Sequence, residues 1–110
     1  MLKLARVARS KKSALMTYKL FFHADAEREW RKLDNSIRIQ LKKKLAERLE
    51  NPRVEADKLS NLPNTYKIKL RSIGYRMVYE VREEQVVVMV IAVGRREDNE
   101  VYISAAKRSH

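Results

Sequence analysis

The stretch TYKIKLRSIGYRMVYEV, residues 65–81, consists of two alternating runs around a short turn. Tyr66, Ile68 and Leu70 share one face of the first run, and the run after Ser72-Ile73-Gly74 alternates in the same way. This pattern is typical of two half-buried strands joined as a hairpin. The same stretch carries four basic side chains: Lys67, Lys69, Arg71 and Arg76. A sheet does not require them, so they form either a solvated face or a site for an anionic ligand.

The chain after this hairpin continues the sheet. Gln85–Val93 is almost wholly apolar, which predicts a central strand that is covered on both faces and ended by Gly94. The connections are short, so the three strands form an antiparallel meander. A charged loop over 95–99 then leads to a short helix over Glu100–Arg108.

Upstream of the hairpin we predict a strand and two helices. Thr17–Phe22 alternates as a strand, and a helix with an apolar stripe starts at His23-Ala24-Asp25. A second helix ends at Asn51-Pro52, because proline disfavours helix in the residue before it. The first stripe is Ala26, Trp30 and Leu33, and the second is Ile37, Leu41, Leu45 and Leu49. Residues 53–64 form a loop.

These elements predict an α+β fold. Two N-terminal antiparallel helices pack on one face of a curved, mainly antiparallel four-stranded sheet, and a short C-terminal helix follows. The alternation turns Lys67 and Lys69 towards the other face of the sheet. Residues 16–110 form one domain, as expected for 110 residues. Residues 1–15 are a basic extension, interpreted as an RNA-binding arm, a disordered tail or the product of an upstream start, with Met16 as the natural start.

The charge of the chain points to a polyanionic partner. The net charge is +11, which is typical of proteins that bind nucleic acid or ribosomes. The absence of cysteine excludes disulfides and thiolate chemistry. No apolar run approaches the roughly 20 residues of a membrane span, so we expect a cytoplasmic protein with no membrane association.

The residue types leave little room for metal or cofactor chemistry. His23 and His110 are the only histidines, and His23 is interpreted as a helix cap. Gly74 and Gly94 are the only glycines, so no phosphate-binding glycine loop is present. We therefore expect no metal and no cofactor. On pattern alone, the basic strand residues could be a solvated face, an RNA-binding surface or a catalytic site.

Six segments together resemble one known family. They are EWRKL (29–33), QLKKKL (40–45), NPRVEADKL (51–59), YKIKLRSIGYRMVYEV (66–81), VVVMVIAVGRRE (86–97) and EVY (100–102). Through them residues 16–110 are similar to RelE-family toxins, the ribosome-dependent mRNA interferases of type II RelE/RelB toxin–antitoxin systems. The resemblance implies a RelE-like fold that matches the arrangement predicted above.

The resemblance also implies an activity. A RelE-family toxin cleaves mRNA in the ribosomal A site by attack of a ribose 2′-hydroxyl on the adjacent phosphate. Matching motif positions assign the catalytic site to Lys67, Lys69, Arg76, Arg96 and Tyr102. Arg76 would stabilise the charge of the transition state, and Arg96 would act near the leaving oxygen mainly through its charge. Tyr102 would stack on a base and position the 2′-hydroxyl.

The general base is not assigned by this reasoning. Lys67 and Lys69 stand about 6.6 Å apart along one strand face, so their charges repel. Repulsion lowers a lysine pKa, but this pairing alone leaves only a small fraction of neutral amine at pH 7. We therefore expect these lysines to stabilise charge, and proton abstraction by either one stays open.

The family resemblance implies several partners. They are a cognate RelB-like antitoxin, the 70S ribosome with its rRNA and A-site mRNA, and operator DNA reached only through the antitoxin complex. The candidate RNA- or ribosome-binding residues are Arg71, Lys42, Lys43, Lys44, Arg48 and Arg95. The four residues on the second helix could equally be solvated charge. An alternative function is translation inhibition by ribosome binding without cleavage.

The chain departs from the family at two places. Ser60 lies where relatives can carry a basic residue that contacts RNA. The chain ends in Ser109-His110 without an apolar final turn, which predicts weaker docking of the C-terminal helix.

Overall fold

A four-stranded mixed sheet organises the computed structural model, which describes residues 17–109 apart from the side chain of Asp98. The elements are β1 (Lys19–Phe22), α1 (Ala24–Arg31), α2 (Asn35–Glu50), β2 (Thr65–Leu70), β3 (Tyr75–Arg82), β4 (Val87–Arg95) and α3 (Glu100–Arg108). The strand order is β1-β4-β3-β2. The predicted α+β fold is confirmed. The basic extension 1–15, Met16 and His110 lie outside the described residues.

The sheet is antiparallel except at one edge. Strands β2, β3 and β4 form the predicted meander, and β1 pairs in parallel with β4, from Lys19 opposite Val87 to Phe22 opposite Val90. Both α1 and α2 lie between β1 and the meander in sequence, which gives the long crossover that a parallel pair requires. The first strand therefore belongs to the same sheet, as predicted.

The core lies on both faces of the sheet. On one face α1 and α2 bury Ala26, Leu41 and Leu45 against the strands, and Trp30 and Leu49 pack at the margin. On the other face α3 inserts Val101 and Ala105. The predicted burial of the last strand on both faces is confirmed. The face that we expected to be open is partly covered, because α3 docks there.

The limits of β4 differ from the prediction. The strand begins at Val87 because Val86 adopts a left-handed conformation, with φ 57° and ψ 49°, which cannot continue a strand. It runs through Gly94 to Arg95, since Gly94 pairs with Arg76 and Arg95 pairs with Tyr75.

Polar side chains satisfy the ends of α1. His23 caps its start by accepting a hydrogen bond at Nδ1 from the Asp25 backbone N–H, at 3.1 Å, so its predicted role as a cap is confirmed. At the other end Arg38 donates to the carbonyl oxygens of Trp30, Arg31 and Leu33, at 3.3, 3.0 and 2.7 Å. Arg38 thus holds the end of α1 against the start of α2. No helix between residues 17 and 109 has the length and apolarity to cross a bilayer.

Candidate active site

Three cations meet on the sheet face that carries α3. Tyr66, Ile68 and Leu70 are buried against α1 and α2, so the alternation turns Lys67 and Lys69 to the opposite face. Lys69 pairs with Arg76 across the strands, and Lys67 pairs with Val78, which packs under α3. The register therefore brings Lys67, Lys69 and Arg76 together. The alternation predicted this face for the two lysines, whereas Arg76 was grouped with them through the family resemblance.

Arg76 is a buried cation without an acidic partner among the side chains that the structure describes. Its residue is only 9% exposed, and its Nη1 donates to the Tyr75 carbonyl oxygen at 3.0 Å. None of the ion pairs between described side chains includes Arg76, Lys67 or Lys69. A buried charge without a counter-ion is unfavourable in the free protein. An anionic ligand at this face would offset that cost.

Neighbouring cations perturb Lys69. The pKa of the Lys69 ammonium lies below its ordinary value. The causes, largest first, are the Arg71 guanidinium, partial burial, and the charges of Lys67 and Arg76, while the Asp57 carboxylate acts in the opposite direction. Sequence reasoning attributed such a shift to Lys67. The larger effect comes from Arg71, which follows β2 in the short 3₁₀ turn Arg71–Ile73.

Tyr102 lies beside Lys67. Both line an open groove of about 310 Å³ whose other wall is the loop before β2. That wall is Lys58, Leu59, Ser60 and Asn61. The Tyr102 ring also packs against the cluster beneath α3, which is formed in part by Val101 and Ala105. Tyr102 therefore has one side fixed by the core and the other facing the groove.

The charged loop after β4 adjoins the turn between β2 and β3. The Arg96 backbone N–H donates to the Gly74 carbonyl oxygen at 2.8 Å, and its side chain is exposed. Gly74 itself has a φ of 71°, a left-handed conformation that glycine adopts without strain. This contact ties Arg96 to the end of the hairpin that carries Arg76 and Arg71.

Arg95 is separated from the three strand cations. Its guanidinium lies 5.3 Å from the centre of the Tyr75 ring. Tyr75 packs against the core on the α1 and α2 side of the sheet. Arg95 therefore lies towards the opposite face from Lys67 and Lys69, although it neighbours Arg96 in sequence.

Arg48 is also separated from the other basic residues of α2. Its Nη2 lies 2.6 Å from the Asp57 carboxylate, and its Nη1 donates to the Lys67 carbonyl and the Tyr79 hydroxyl, at 3.1 and 2.9 Å. Its side chain is only 13% exposed. By contrast Lys42, Lys43 and Lys44 are exposed. Sequence reasoning missed Asp57 because a loop carboxylate gives no signal of its partner.

No metal centre is evident in the part of the chain that the structure describes. Among the described side chains, no three of histidine, aspartate or glutamate are grouped so that they could hold an ion.

Comparison with known proteins gives consistent matches. Residues 20–100 match the family of ParE toxins of type II toxin–antitoxin systems, parDE. The chain is 60% identical over 93 residues to the mRNA interferase toxin RelE of Escherichia coli K12, which covers 84% of this chain and 98% of the relative. It is 45% identical over the same length to a putative RelE-like toxin protein of Escherichia coli.

Solved structures agree with these sequence matches. The free E. coli toxin RelE, in a variant with two arginines changed to alanine, superposes with a TM-score of 0.79 at 59% identity, over 84% of this chain and 98% of that chain. The archaeal RelE–RelB complex of Pyrococcus horikoshii OT3 matches with a TM-score of 0.60 at 19% identity, over 76% of this chain and 99% of that chain. That distant match shows the fold alone. From these findings the chain belongs to the ParE/RelE family of toxins from type II toxin–antitoxin systems.

Proposed function

We propose that this toxin is a ribosome-dependent endoribonuclease that cleaves mRNA in the ribosomal A site. The observation that carries the proposal is the group of Lys67, Lys69 and Arg76 on one sheet face, beside the groove lined by Tyr102. Cations with an adjacent aromatic ring suit an unpaired RNA strand, whose phosphates they hold and whose bases stack. A 60% identical relative named an mRNA interferase supports this chemistry.

The reaction needs charge stabilisation above all. A ribose 2′-oxygen attacks the adjacent phosphorus, the bond to the 5′-oxygen breaks, and the products are a 2′,3′-cyclic phosphate and a 5′-hydroxyl. Negative charge accumulates on the phosphoryl oxygens in the transition state. Arg76, buried and without a carboxylate partner among the described side chains, is placed to donate its planar guanidinium hydrogens to them.

Lys69 is the better candidate for the general base. Its pKa is lowered by Arg71, partial burial, Lys67 and Arg76, which increases the neutral fraction that can accept the 2′-hydroxyl proton. Substrate phosphate opposes this shift. Arg96 acts on the leaving oxygen through its charge, since a guanidinium with a pKa above about 12 is a poor acid.

The remaining cations suit contact with the 70S ribosome. Lys42, Lys43 and Lys44 are exposed in succession on α2, away from the network that holds Arg48. Exposed lysines near rRNA phosphates contribute affinity that depends on salt. The toxin works in the cytoplasm, where it meets A-site mRNA.

A RelB-like antitoxin is the expected inhibitor. The intact E. coli RelBE toxin–antitoxin complex contains a chain that matches this one with a TM-score of 0.71 at 60% identity. An antitoxin with acidic segments would neutralise the face that carries Lys67, Lys69 and Arg76. We place operator DNA with the antitoxin in the complex, rather than with the toxin alone.

The test is cleavage mapping on programmed ribosomes. Purified toxin is added to 70S ribosomes with mRNA in the A site, and primer extension locates the cut. Lys69→Ala, Arg76→Ala and Arg96→Ala should each lower the cleavage rate at least a hundredfold while cosedimentation with ribosomes persists. Lys32→Ala, an exposed residue at the end of α1, serves as the matched control.

One outcome would instead support a non-catalytic inhibitor. If translation stops while the A-site mRNA stays intact, the toxin blocks ribosomes by binding alone. If the three active-site variants cleave like the parent protein, the assignment of these residues is wrong.

A further inference from the structure

The backbone edge of β4 that faces β1 has different hydrogen-bond partners beyond the end of β1. Strand β1 pairs with β4 as far as Phe22 opposite Val90, and the chain then turns into α1 through His23. Beyond that point, no strand among the described residues pairs with this edge of β4. Two side chains take its place. The Val93 N–H donates to Glu29 Oε1 at 3.0 Å, and the Ile91 carbonyl accepts from Arg108 Nη1 at 2.9 Å.

Glu29 and Arg108 are also paired with each other. Arg108 Nη1 and Nη2 reach Glu29 Oε1 and Oε2 at 3.0 and 2.9 Å, a two-pronged arrangement. Their side chains are 16% and 31% exposed, for Arg108 and Glu29 respectively. Two parallel charge-assisted bonds fix orientation as well as distance. The ion pair, here named the edge clasp, joins α1, β4 and α3 at one point.

The edge clasp supplies docking that the apolar contacts of α3 lack. Only Val101 and Ala105 of α3 are buried, and Ile103 is 53% exposed. A helix of nine residues with two buried side chains has little apolar area to hold it. The prediction of weak docking from the terminal residues overlooked Arg108, which binds the last turn of α3 to α1.

Tyr102 stands on the first turn of the same helix. Arg108 follows Tyr102 six positions later in the helix, a rise of about 9 Å. A tilt at the clasped end therefore moves the ring that lines the groove beside Lys67. Displacements of about 1 Å at a reacting group can cost about a hundredfold in rate.

We propose that Glu29 and Arg108 are positioning residues for RNA cleavage, acting through α3 on Tyr102. This inference rests on the proposed endonuclease function. The hydrogen bonds and ion pairs of the edge clasp include no candidate catalytic side chain. Its loss should lower the turnover number and leave the affinity for the ribosome unchanged.

The test compares kcat and KM for Arg108→Ala, Arg108→Lys and parent toxin on programmed ribosomes. Arg108→Ala should lower kcat about tenfold or more with an unchanged KM. Arg108→Lys keeps the positive charge but cannot form the two parallel hydrogen bonds to Glu29, so its kcat should be intermediate. Arg38→Ala is the matched control, because it removes an arginine that binds three backbone carbonyls away from α3. It should lose stability but cleave like the parent protein.

A double variant separates positioning from general destabilisation. In a Tyr102→Ala background, adding Arg108→Ala should change kcat less than twofold, since the residue through which the clasp acts is gone. The inference is overturned if Arg108→Ala cleaves at the parental rate, or if it costs the same factor in both backgrounds. Failure of the proposed function is distinguishable, because the parent toxin itself would then leave A-site mRNA intact.

Discussion

Arg48 binds Asp57 with 2.6 Å between guanidinium nitrogen and carboxylate oxygen, and the same guanidinium holds the backbone carbonyl of Lys67. The pair joins α2, the loop before β2, and the strand that presents the candidate catalytic lysines. Arg48 thus contributes to the site by fixing its backbone, while its charge faces the protein interior.

Breaking this pair should destabilise the fold. Arg48→Ala leaves Asp57 without its partner in a mostly buried position, so the free energy of unfolding should fall by about 3 kcal/mol. Urea denaturation followed by tryptophan fluorescence measures it. Lys44→Ala, on the exposed face of the same helix, should change stability by less than about 0.5 kcal/mol. Equal losses in the two variants would contradict the structural role of Arg48.

The exposed lysines of α2 should affect ribosome binding and its salt dependence. Replacing Lys42, Lys43 and Lys44 together with glutamine removes up to three phosphate contacts. The slope of log affinity against log salt should become shallower by roughly two to three. Sedimentation binding at several KCl concentrations measures the slope. An unchanged slope would mean that these lysines are only solvated charge.

Arg71 should set the pH dependence of cleavage. Its guanidinium is the largest cause of the lowered pKa of Lys69, so Arg71→Gln should return that pKa towards its ordinary value. If Lys69 is the base, less neutral amine exists at any given pH, and the rising limb of the rate profile moves to higher pH. Single-turnover cleavage across pH at constant salt measures the shift.

Lys107→Gln, an exposed change on α3, is the control for this profile. If the rising limb of the pH–rate profile keeps its position in Arg71→Gln while the rate falls equally at every pH, Lys69 acts as a cation only.

The lowered pKa of Lys69 also affects the stability of the fold, with a defined sign. Because the folded state disfavours the charged ammonium, this contribution opposes folding at neutral pH and disappears as pH rises towards the ordinary lysine pKa.

Val86 offers a stabilising substitution. It is a β-branched residue at φ 57°, a conformation that costs roughly 1–2 kcal/mol for residues with a side chain. Val86→Gly should therefore raise the free energy of unfolding by about 1 kcal/mol. The gain is smaller than the full relief of strain, because glycine has more conformational freedom to lose from the unfolded chain. Thermal denaturation measures the change. Val87→Gly, the next residue and part of β4, should destabilise instead.

Sequence reasoning succeeded where the pattern was periodic. The alternation in Tyr66–Leu70 identified both the buried face and the face of Lys67 and Lys69, because strand side chains alternate strictly. The four-residue spacing of Leu41 and Leu45 identified the buried side of α2 in the same way. The roles proposed for Lys67 and Lys69 come from the family resemblance, because periodicity indicates burial and not chemistry.

Contacts distant in sequence could not be predicted in this way. Arg48 fits the exposed pattern of its lysine neighbours, and only the folded chain brings Asp57 to it. The position of Arg95, away from Lys67 and Lys69, depends on its contact with the ring of Tyr75 in β3. Glu29 and Arg108 lie near opposite ends of the domain, so neither residue signals the other. Charge pairing depends on tertiary geometry, whereas burial leaves a local pattern.

The parallel pairing of β1 with β4 has a consequence for synthesis. Among the described strands β1 leaves the ribosome first, and it has no neighbour in the sheet until β4 has been made, because the sheet order places the two side by side. Pairings between distant parts of a chain form late in folding. The nascent chain therefore cannot complete its sheet, or the face on which α3 packs, while β4 and α3 are still being translated.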